Sequence, residues 1–157
     1  NCVKLPGLSA DRPVVFKFGV PYEAMMAELQ RKSADIYRNN GVLAMLSRNA
    51  KIKRAPEHWS QAAKEKFDII ITFEARVFEA VVDDFVSSRS PVVFSPAFVF
   101  NLEIRDTHSD AAAGARIAVD LVEQLDASED IETDIYGIVK DIEVKLRHSV
   151  FVVPVFF

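Results

Sequence analysis

The sequence has little cysteine, histidine or glycine: one Cys, three His and five Gly in 157 residues. The single cysteine, Cys2, excludes an intramolecular disulfide framework. The histidines His58, His108 and His148 are widely separated, so no zinc-binding pattern is present and we expect no metal and no other cofactor. Neither GxxxxGK[ST] nor GxGxxG occurs, and nucleotide binding therefore has no support from sequence motifs.

Long apolar runs and an excess of positive charge are also missing. No stretch of about 18 uninterrupted apolar residues occurs, so the sequence predicts no membrane span. Lys and Arg number 19 against 23 Asp and Glu, which gives a net charge of -4 and argues against direct electrostatic binding to nucleic acid. A phosphorylated ligand would therefore have to be held by a local site.

What the chain does have is apolar sequence, which makes up half of its residues. With 157 residues, this composition predicts one domain with a sizeable core over residues 1–157. The chain opens with Asn1 rather than Met, and we expect the numbering to begin inside a longer protein. We therefore expect this single domain to be incomplete.

The apolar spacing alternates between strand and helix patterns. Helical periodicity is found at residues 22–38, 42–46, from Pro56, at 77–85, after Asp110 and at 131–146. Continuous apolar runs at 67–73 and 96–100 predict two buried parallel strands, and Pro154 places a closing strand, 149–157, at a sheet edge. The Pro- and Gly-containing residues 3–13 predict a loop. Together these patterns predict a three-layer α/β fold.

Two carboxylates, Glu103 and Asp106, follow the second predicted strand, where ligands bind in open α/β sheets. Strand alternation predicts that Asn101, Glu103 and Arg105 share one side. Chemistry is one interpretation of each carboxylate. The other is structural: Asp106 or Thr107 would cap the following helix, and Glu103 would be a solvated side chain or an ion-pair partner of Arg105.

Four segments resemble the Ssu72 family of RNA polymerase II C-terminal-domain phosphatases. They read VKLPG at residues 3–7, NGVLAMLSRN at 40–49, FDIIITFEARV at 67–77 and NLEI at 101–104, with Ala115 downstream. The similarity is collinear over nearly the whole chain, to the closing Phe156 and Phe157. The resemblance implies a low-molecular-weight tyrosine phosphatase-like α/β fold with a parallel sheet and added helices, which fits the helical sequence before residue 67.

The resemblance also implies an activity. The family removes phosphate from the heptad repeats of the polymerase tail, chiefly at the fifth-position serine with the following proline in cis, and acts in transcription termination and mRNA processing in the nucleus. A cysteine thiolate attacks phosphorus, backbone amides and an arginine bind the phosphate oxygens, and a carboxylic acid protonates the leaving serine oxygen, all without a metal. The implied partners are the phosphorylated polymerase tail and a symplekin-type scaffold of the cleavage and polyadenylation machinery.

The family's nucleophile pattern is cysteine, five residues, arginine, and this chain does not contain it. Its one cysteine is Cys2, and the position six residues further on is Leu8. We expect the first strand, the cysteine loop, the first helix and the second strand of the family to lie upstream of Asn1. The sequence therefore predicts either part of an active cysteine-dependent phosphatase or a non-catalytic, truncated relative that binds the polymerase tail or the scaffold.

Matching the family residue by residue gives the candidate site. Glu103 stands where the family generally has an aspartic general acid, and Asp106 is the alternative acid. The positions matched to the peptide groove are Lys4, Leu5, Pro6, Gly7, Tyr37, Met45 and Leu46. For this second set the competing interpretation is that the Met, Tyr and Leu side chains belong to the core and that Pro6 and Gly7 form a turn.

Overall fold

The structure is a computed structural model that describes residues 2–9, 12–62, 65–89 and 95–157, with the side chains of Ala62 and His108 outside that description. Its contacts divide the chain into two compact units, Asn1–Glu65 and Lys66–Phe157. Within the described ranges, no helix combines the length and the apolar character that a membrane crossing needs. The assignment of the chain to one domain stays a prediction.

The first unit begins with an antiparallel strand pair, β1 (Val3–Leu5) and β2 (Val14–Phe16). The predicted loop over residues 3–13 is therefore wrong at its start, because the side chain of Leu5 is buried and the backbone of β1 pairs with β2. Pro6 and Gly7 do leave the strand. A Cβ at Gly7 would lie 1.7 Å from the Arg12 carbonyl oxygen, so only glycine fits this close backbone approach.

Three helices complete the first unit: α1 (Tyr22–Asn39), α2 (Val42–Ile52) and α3 (Trp59–Ala62). The turn between α1 and α2 uses Gly41 at φ 79°, a left-handed conformation that favours glycine. The third helix begins at Trp59, not at the predicted Pro56, and the Pro56 carbonyl instead accepts a hydrogen bond from the Gly19 N–H at 2.8 Å. The apolar faces of α1 and α2 form one core cluster with Leu5 and Phe16.

The second unit contains a three-stranded sheet in the order β3 (Ile69–Thr72), β4 (Pro96–Leu102), β5 (Val150–Phe156). β3 and β4 are parallel, as predicted, whereas β5 runs antiparallel to β4 at the edge, so the sheet is mixed. Pro154 pairs with Phe98, whose own N–H donates to the Asp68 carbonyl on the other side. The ladder therefore requires no N–H from Pro154 at this position.

Helices cover both faces of this sheet. The first, α4 (Ala75–Asp83), continues as a π-helical segment, Asp84–Ser88. It lies on the face where Phe78 contacts Phe151 with ring centroids 6.2 Å apart. On the opposite face, α5 (His108–Asp126) and α6 (Ile131–Leu146) form the second core cluster with β4 and β5. Helix, sheet and helix layers confirm the predicted three-layer α/β architecture.

Candidate active site

A cleft of about 870 Å³ opens at the carboxyl ends of the parallel strands β3 and β4. One wall is the end of β3 and the first turn of α4, including Glu74 and Arg76. The other wall is the segment after β4 and the start of α5, and it includes Glu103, Arg105 and Asp106. Both predicted acids therefore line one cleft, at the position where parallel sheets bind ligands.

The Glu103 carboxylate is held at one oxygen by two N–H donors. Its Oε2 accepts a hydrogen bond from the Ala75 N–H at 2.9 Å and from the Asn101 side-chain amide at 3.0 Å. Ala75 is the first residue of α4, and the N-cap residue Glu74 provides no side-chain cap. Glu103 therefore acts as the missing cap from another segment of the chain. Within the described ranges, Oε1 makes no hydrogen bond and Arg105 forms no salt bridge with Glu103.

Behind Glu103 lies a buried polar pair. Asn101 is 0% exposed and Thr72 is 5% exposed, and the two residues occupy paired positions on β4 and β3. The Thr72 hydroxyl lies 2.8 Å from Asn101 Oδ1 and 3.1 Å from the Phe100 carbonyl oxygen. A buried amide and hydroxyl at the end of two apolar strands are stable only when hydrogen-bonded, and here they bond to each other and to Glu103.

Asp106 is exposed, and it does not cap the following helix. The cap of α5 is Thr107, whose hydroxyl accepts the Asp110 N–H at 3.1 Å. Asp106 lines the cleft, and its carboxylate makes no hydrogen bond or salt bridge within the described ranges. The interpretation of Asp106 as a helix cap is therefore wrong. Its carboxylate instead forms part of the cleft wall.

Helix α5 approaches the acid-bearing segment closely at Gly114. A Cβ at this position would lie 2.6 Å from Ile104 Cδ1 and 2.8 Å from Ile104 Cγ1. Ile104 packs against the core cluster under α5, and its N–H donates to the Phe73 carbonyl at 3.2 Å. The absence of a side chain at Gly114 therefore sets how near the segment lies to α5.

Two arginines, Arg76 and Arg105, line the cleft and differ in whether they form a salt bridge. Arg76 pairs with Glu74, with 3.1 Å between Nη2 and Oε1, in an exposed salt bridge. Arg105 forms no salt bridge with any residue that the structure describes. Among the residues that the structure describes, the cleft thus combines a carboxylate, Asp106, and a cation, Arg105, that have no side-chain partner, and both are exposed to solvent.

The seven predicted groove residues all belong to the first unit. Tyr37 and Leu46 are fully buried in its core cluster, Leu5 is also buried, and Met45 packs against that cluster. Lys4 and Pro6 are exposed. Core packing is therefore sufficient to explain Leu46, whereas the buried Tyr37 hydroxyl has no hydrogen-bond partner among the described residues. A binding role for the set stays a prediction.

Other residues bear on what the site could hold. Cys2 is half-buried and free. No group of three or more His, Cys, Asp or Glu side chains that could hold a metal occurs in the described part of the chain.

The sequence patterns did not assign roles to Thr72 or Ala75. Their signal is weak, because a threonine in an apolar strand and an alanine at a helix start are both ordinary.

A family model described as "Ssu72-like protein" matches residues 1–157. The chain belongs to the Ssu72-like family. A relative from Danio rerio, the RNA polymerase II C-terminal domain phosphatase SSU72, is 37% identical over 155 residues, which are 99% of this chain and 78% of that protein. The Homo sapiens protein of the same name is 39% identical over 143 residues, 91% of this chain and 73% of its own length.

Solved structures of the family share this fold. The serine phosphatase of the RNA polymerase II C-terminal domain from Drosophila melanogaster superposes with a TM-score of 0.92 at 36% identity, covering 99% of this chain and 81% of that one. D. melanogaster Ssu72 with Symplekin, bound to a cis peptidomimetic of the C-terminal domain phosphorylated on serine 5, gives a TM-score of 0.91 at 35% identity, with 99% and 80% covered. The predicted family and fold class are confirmed.

Proposed function

We propose that this chain belongs to a protein serine phosphatase that removes phosphate from the heptad repeats of the RNA polymerase II C-terminal domain. The observation that carries the proposal is the family match over residues 1–157, together with a curated phosphatase relative at 37% identity over 99% of the chain. The cleft beyond β3 and β4 supplies the matching chemistry, because it presents carboxylates where a leaving oxygen could be protonated.

The residues of this chain would supply the acid half of the reaction. In cysteine-dependent phosphate transfer a thiolate attacks phosphorus, and a neighbouring carboxylic acid gives its proton to the departing serine oxygen. Glu103 and Asp106 are the two candidates for that acid. The thiolate and its arginine are not found here, since Leu8 stands six positions after Cys2.

The contacts favour Asp106 over Glu103 as the proton donor. Glu103 Oε2 accepts two N–H donors, one of them from the first residue of α4, so this side chain already has the structural role of holding α4 in place. Thr107 caps α5, which leaves Asp106 without a structural task in the described contacts. We therefore propose that Asp106 gives the proton and that Glu103 supports the segment that carries it.

Peptide binding is proposed for the residues of the first unit that match the family groove. Lys4 and Pro6 are exposed and so can meet a peptide directly, whereas Tyr37 and Leu46 would support the groove from the core. Substituting Lys4 with Ala should raise KM for a phosphopeptide and leave kcat nearly unchanged, because a lost surface contact weakens ground-state and transition-state binding alike.

The partner and the location of the protein follow from the same relatives. The D. melanogaster structure pairs Ssu72 with Symplekin, and we propose that this chain binds a scaffold of the symplekin type. A phosphatase of the polymerase tail acts where the polymerase transcribes, so we propose a nuclear location. No direct contact with nucleic acid is part of this proposal, since the chain carries a net charge of -4.

The experiment is phosphate release from a two-heptad peptide phosphorylated on the fifth-position serine, using the intact gene product. The control is the same peptide phosphorylated on another heptad serine. Faster release from the first peptide supports the proposal. Equal, background-level release from both peptides contradicts it.

A second candidate, a non-catalytic binder, is favoured by one observation, the missing cysteine-to-arginine pattern. Fluorescence anisotropy with the same labelled phosphopeptide separates the two. Binding without phosphate release by the intact gene product supports the binder, and binding with release supports the enzyme.

A further inference from the structure

Thr72 and Asn101 are buried polar side chains that the proposed chemistry does not use. They lie on adjacent strands at paired positions, where Thr72 forms part of the cleft lining and Asn101 is fully buried beside it. A buried hydroxyl or amide costs free energy unless it is hydrogen-bonded, and apolar residues of similar size would fill the same space at the end of an apolar strand. Their presence therefore calls for a reason beyond packing.

The directions of their hydrogen bonds can be worked out from chemistry. Glu103 Oε2 accepts the Ala75 N–H, and the Asn101 side chain meets this acceptor oxygen with its amide nitrogen, 3.0 Å away. Asn101 Oδ1 then faces the Thr72 hydroxyl at 2.8 Å, and this shorter contact is favoured for the one hydroxyl hydrogen over the Phe100 carbonyl oxygen at 3.1 Å. The bonds form a single directed chain from Thr72 to Asn101 to Glu103.

This chain of bonds ends on the first turn of α4. The Ala75 N–H donates to the same Glu103 oxygen at 2.9 Å, so that oxygen joins the segment after β4 to the helix after β3. Glu103 Oε2 thus has two donors from two different elements. The side chain can hold this position only if the Asn101 amide keeps its orientation, and Thr72 fixes that orientation from behind.

We propose that Thr72 and Asn101 are positioning residues that hold Glu103 against α4 and thereby fix the geometry of the acid-bearing segment that ends at Asp106. This proposal rests on the phosphatase function proposed above. We call the hydrogen bonds from Thr72 through Asn101 to Glu103 the relay. The backbone hydrogen bond from the Ile104 N–H to the Phe73 carbonyl already holds the same segment near β3, so the relay only adjusts the position of the segment. Small displacements of a catalytic group are enough to lower the rate of a chemical step.

The first test is independent of activity and measures amide hydrogen exchange at Ala75 in this chain. Thr72→Val removes the donor while keeping the branched shape, and we expect exchange at Ala75 to become about fivefold faster. Thr72→Ser keeps the hydroxyl and should stay near wild type. Asn101→Asp places a carboxylate next to Glu103, and it should accelerate exchange more than Thr72→Val does.

The matched control is Thr133→Val in the first turn of α6. It also removes a threonine hydroxyl that donates to a neighbour, the Asp130 carboxylate at 2.6 Å, but away from the cleft. We expect no change at Ala75. Unchanged exchange at Ala75 in folded Thr72→Val and Asn101→Asp, or equal acceleration in Thr133→Val, would overturn the relay.

The second test uses the intact gene product and its phosphopeptide kinetics. For Thr72→Val we expect kcat to fall about tenfold with KM nearly unchanged, and Thr72→Ser to recover most of the loss. A rise in KM at constant kcat, or an equal loss in the Val and Ser variants, would overturn the positioning role. Inactive wild type would instead reject the proposed function, and the exchange results would still decide whether the relay holds Glu103.

Discussion

The N-terminal ends of α4 and α5 border the same cleft, yet they are capped in different ways. Thr107 caps α5 from the adjacent position, and its hydroxyl accepts the Asp110 N–H. Helix α4 has no side-chain cap of its own, and Glu103, 28 residues further along the chain, accepts the Ala75 N–H instead. The local cap stabilises only the first turn of its own helix. The distant cap also joins α4 to the segment that follows β4.

The two kinds of cap give different roles to two carboxylates that lie three residues apart in the sequence. Glu103 is committed to α4 and to the buried amide of Asn101. Asp106 is spared from capping because Thr107 performs it. The sequence of the segment alone, NLEIRDT, does not distinguish the two roles.

The largest expected effect on stability comes from breaking the long-range cap at its buried end. Asn101→Ala should lower the free energy of unfolding by about 3 kcal/mol, because it leaves a cavity and removes the buried donor to Glu103. Urea denaturation of wild type and variant measures the change. The matched control is Asn40→Ala, which removes an exposed amide that accepts one bond from the Val42 N–H. Equal losses in the two variants would contradict the importance of the buried link.

The local cap should contribute less. Thr107→Ala should cost about 1 kcal/mol of unfolding free energy, because the first turn of α5 loses one acceptor. Thr107→Ser keeps the hydroxyl and should remain close to wild type in the same urea experiment. A Thr107→Ala loss as large as that of Asn101→Ala would remove the contrast between the two helix ends.

Gly114 and Gly137 lie in helices α5 and α6 and differ in how much space surrounds them. A Cβ added at Gly137 in α6 would have no heavy atom within 4 Å, so Gly137→Ala should stabilise the protein by about 1 kcal/mol through helix propensity. Gly114→Ala meets Ile104 at 2.6 Å, so overpacking should cancel this gain and destabilise by about 1 kcal/mol. Thermal unfolding of both variants checks the prediction, and equal shifts of Tm would refute a close approach at Gly114.

The smallest effect concerns the far end of α5, where Lys145 of α6 binds Asp120 at 2.7 Å and also Asp141. These bonds lower the pKa of both carboxyls from 3.8 and raise the pKa of Lys145 from 10.5. Carboxyls with a lowered folded-state pKa stabilise the fold above about pH 4, and that contribution disappears as the pH falls through their folded-state values.

The raised pKa of Lys145 makes stability depend on pH in the opposite direction. Its contribution is complete below pH 10.5 and disappears as the pH rises through the folded-state value. Lys145→Met should therefore be slightly less stable than wild type at neutral pH, and the gap should close as the pH falls below 3.8 through the folded-state pKa values of Asp120 and Asp141. A gap that is independent of pH in urea denaturation would show that the charges do not contribute.

Much of the fold could be predicted from local patterns. The apolar run at 67–73 predicted β3, the stripe at 131–146 predicted α6, and Pro154 marked an edge strand. The strand Val3–Leu5 was missed because three residues carry little periodicity and Pro6 and Gly7 dominate the local signal. Pairing with β2, a tertiary effect, decided its conformation.

Only the part of the site that depends on strand direction could be predicted from the sequence. Strand order placed Glu103 and Asp106 at a crevice, because this requires only the direction of β4. The hydrogen bonds from Ala75 to Glu103 and from Thr72 to Asn101 join residues 28 and 29 positions apart, and they depend on strand register. No local pattern encodes that register, so the relay became visible only in the folded chain.

The division of tasks between Glu103 and Asp106 is tested most directly by the leaving-group dependence of kcat in the intact gene product. Asp106→Asn and Glu103→Gln are each compared on a phosphoserine heptad peptide and on an aryl phosphate, whose leaving group needs little protonation. We predict that Asp106→Asn loses about 10²–10⁴-fold on the peptide and far less on the aryl phosphate, while Glu103→Gln lacks this dependence. A leaving-group-dependent loss in Glu103→Gln and not in Asp106→Asn would show that Glu103, not Asp106, is the proton donor.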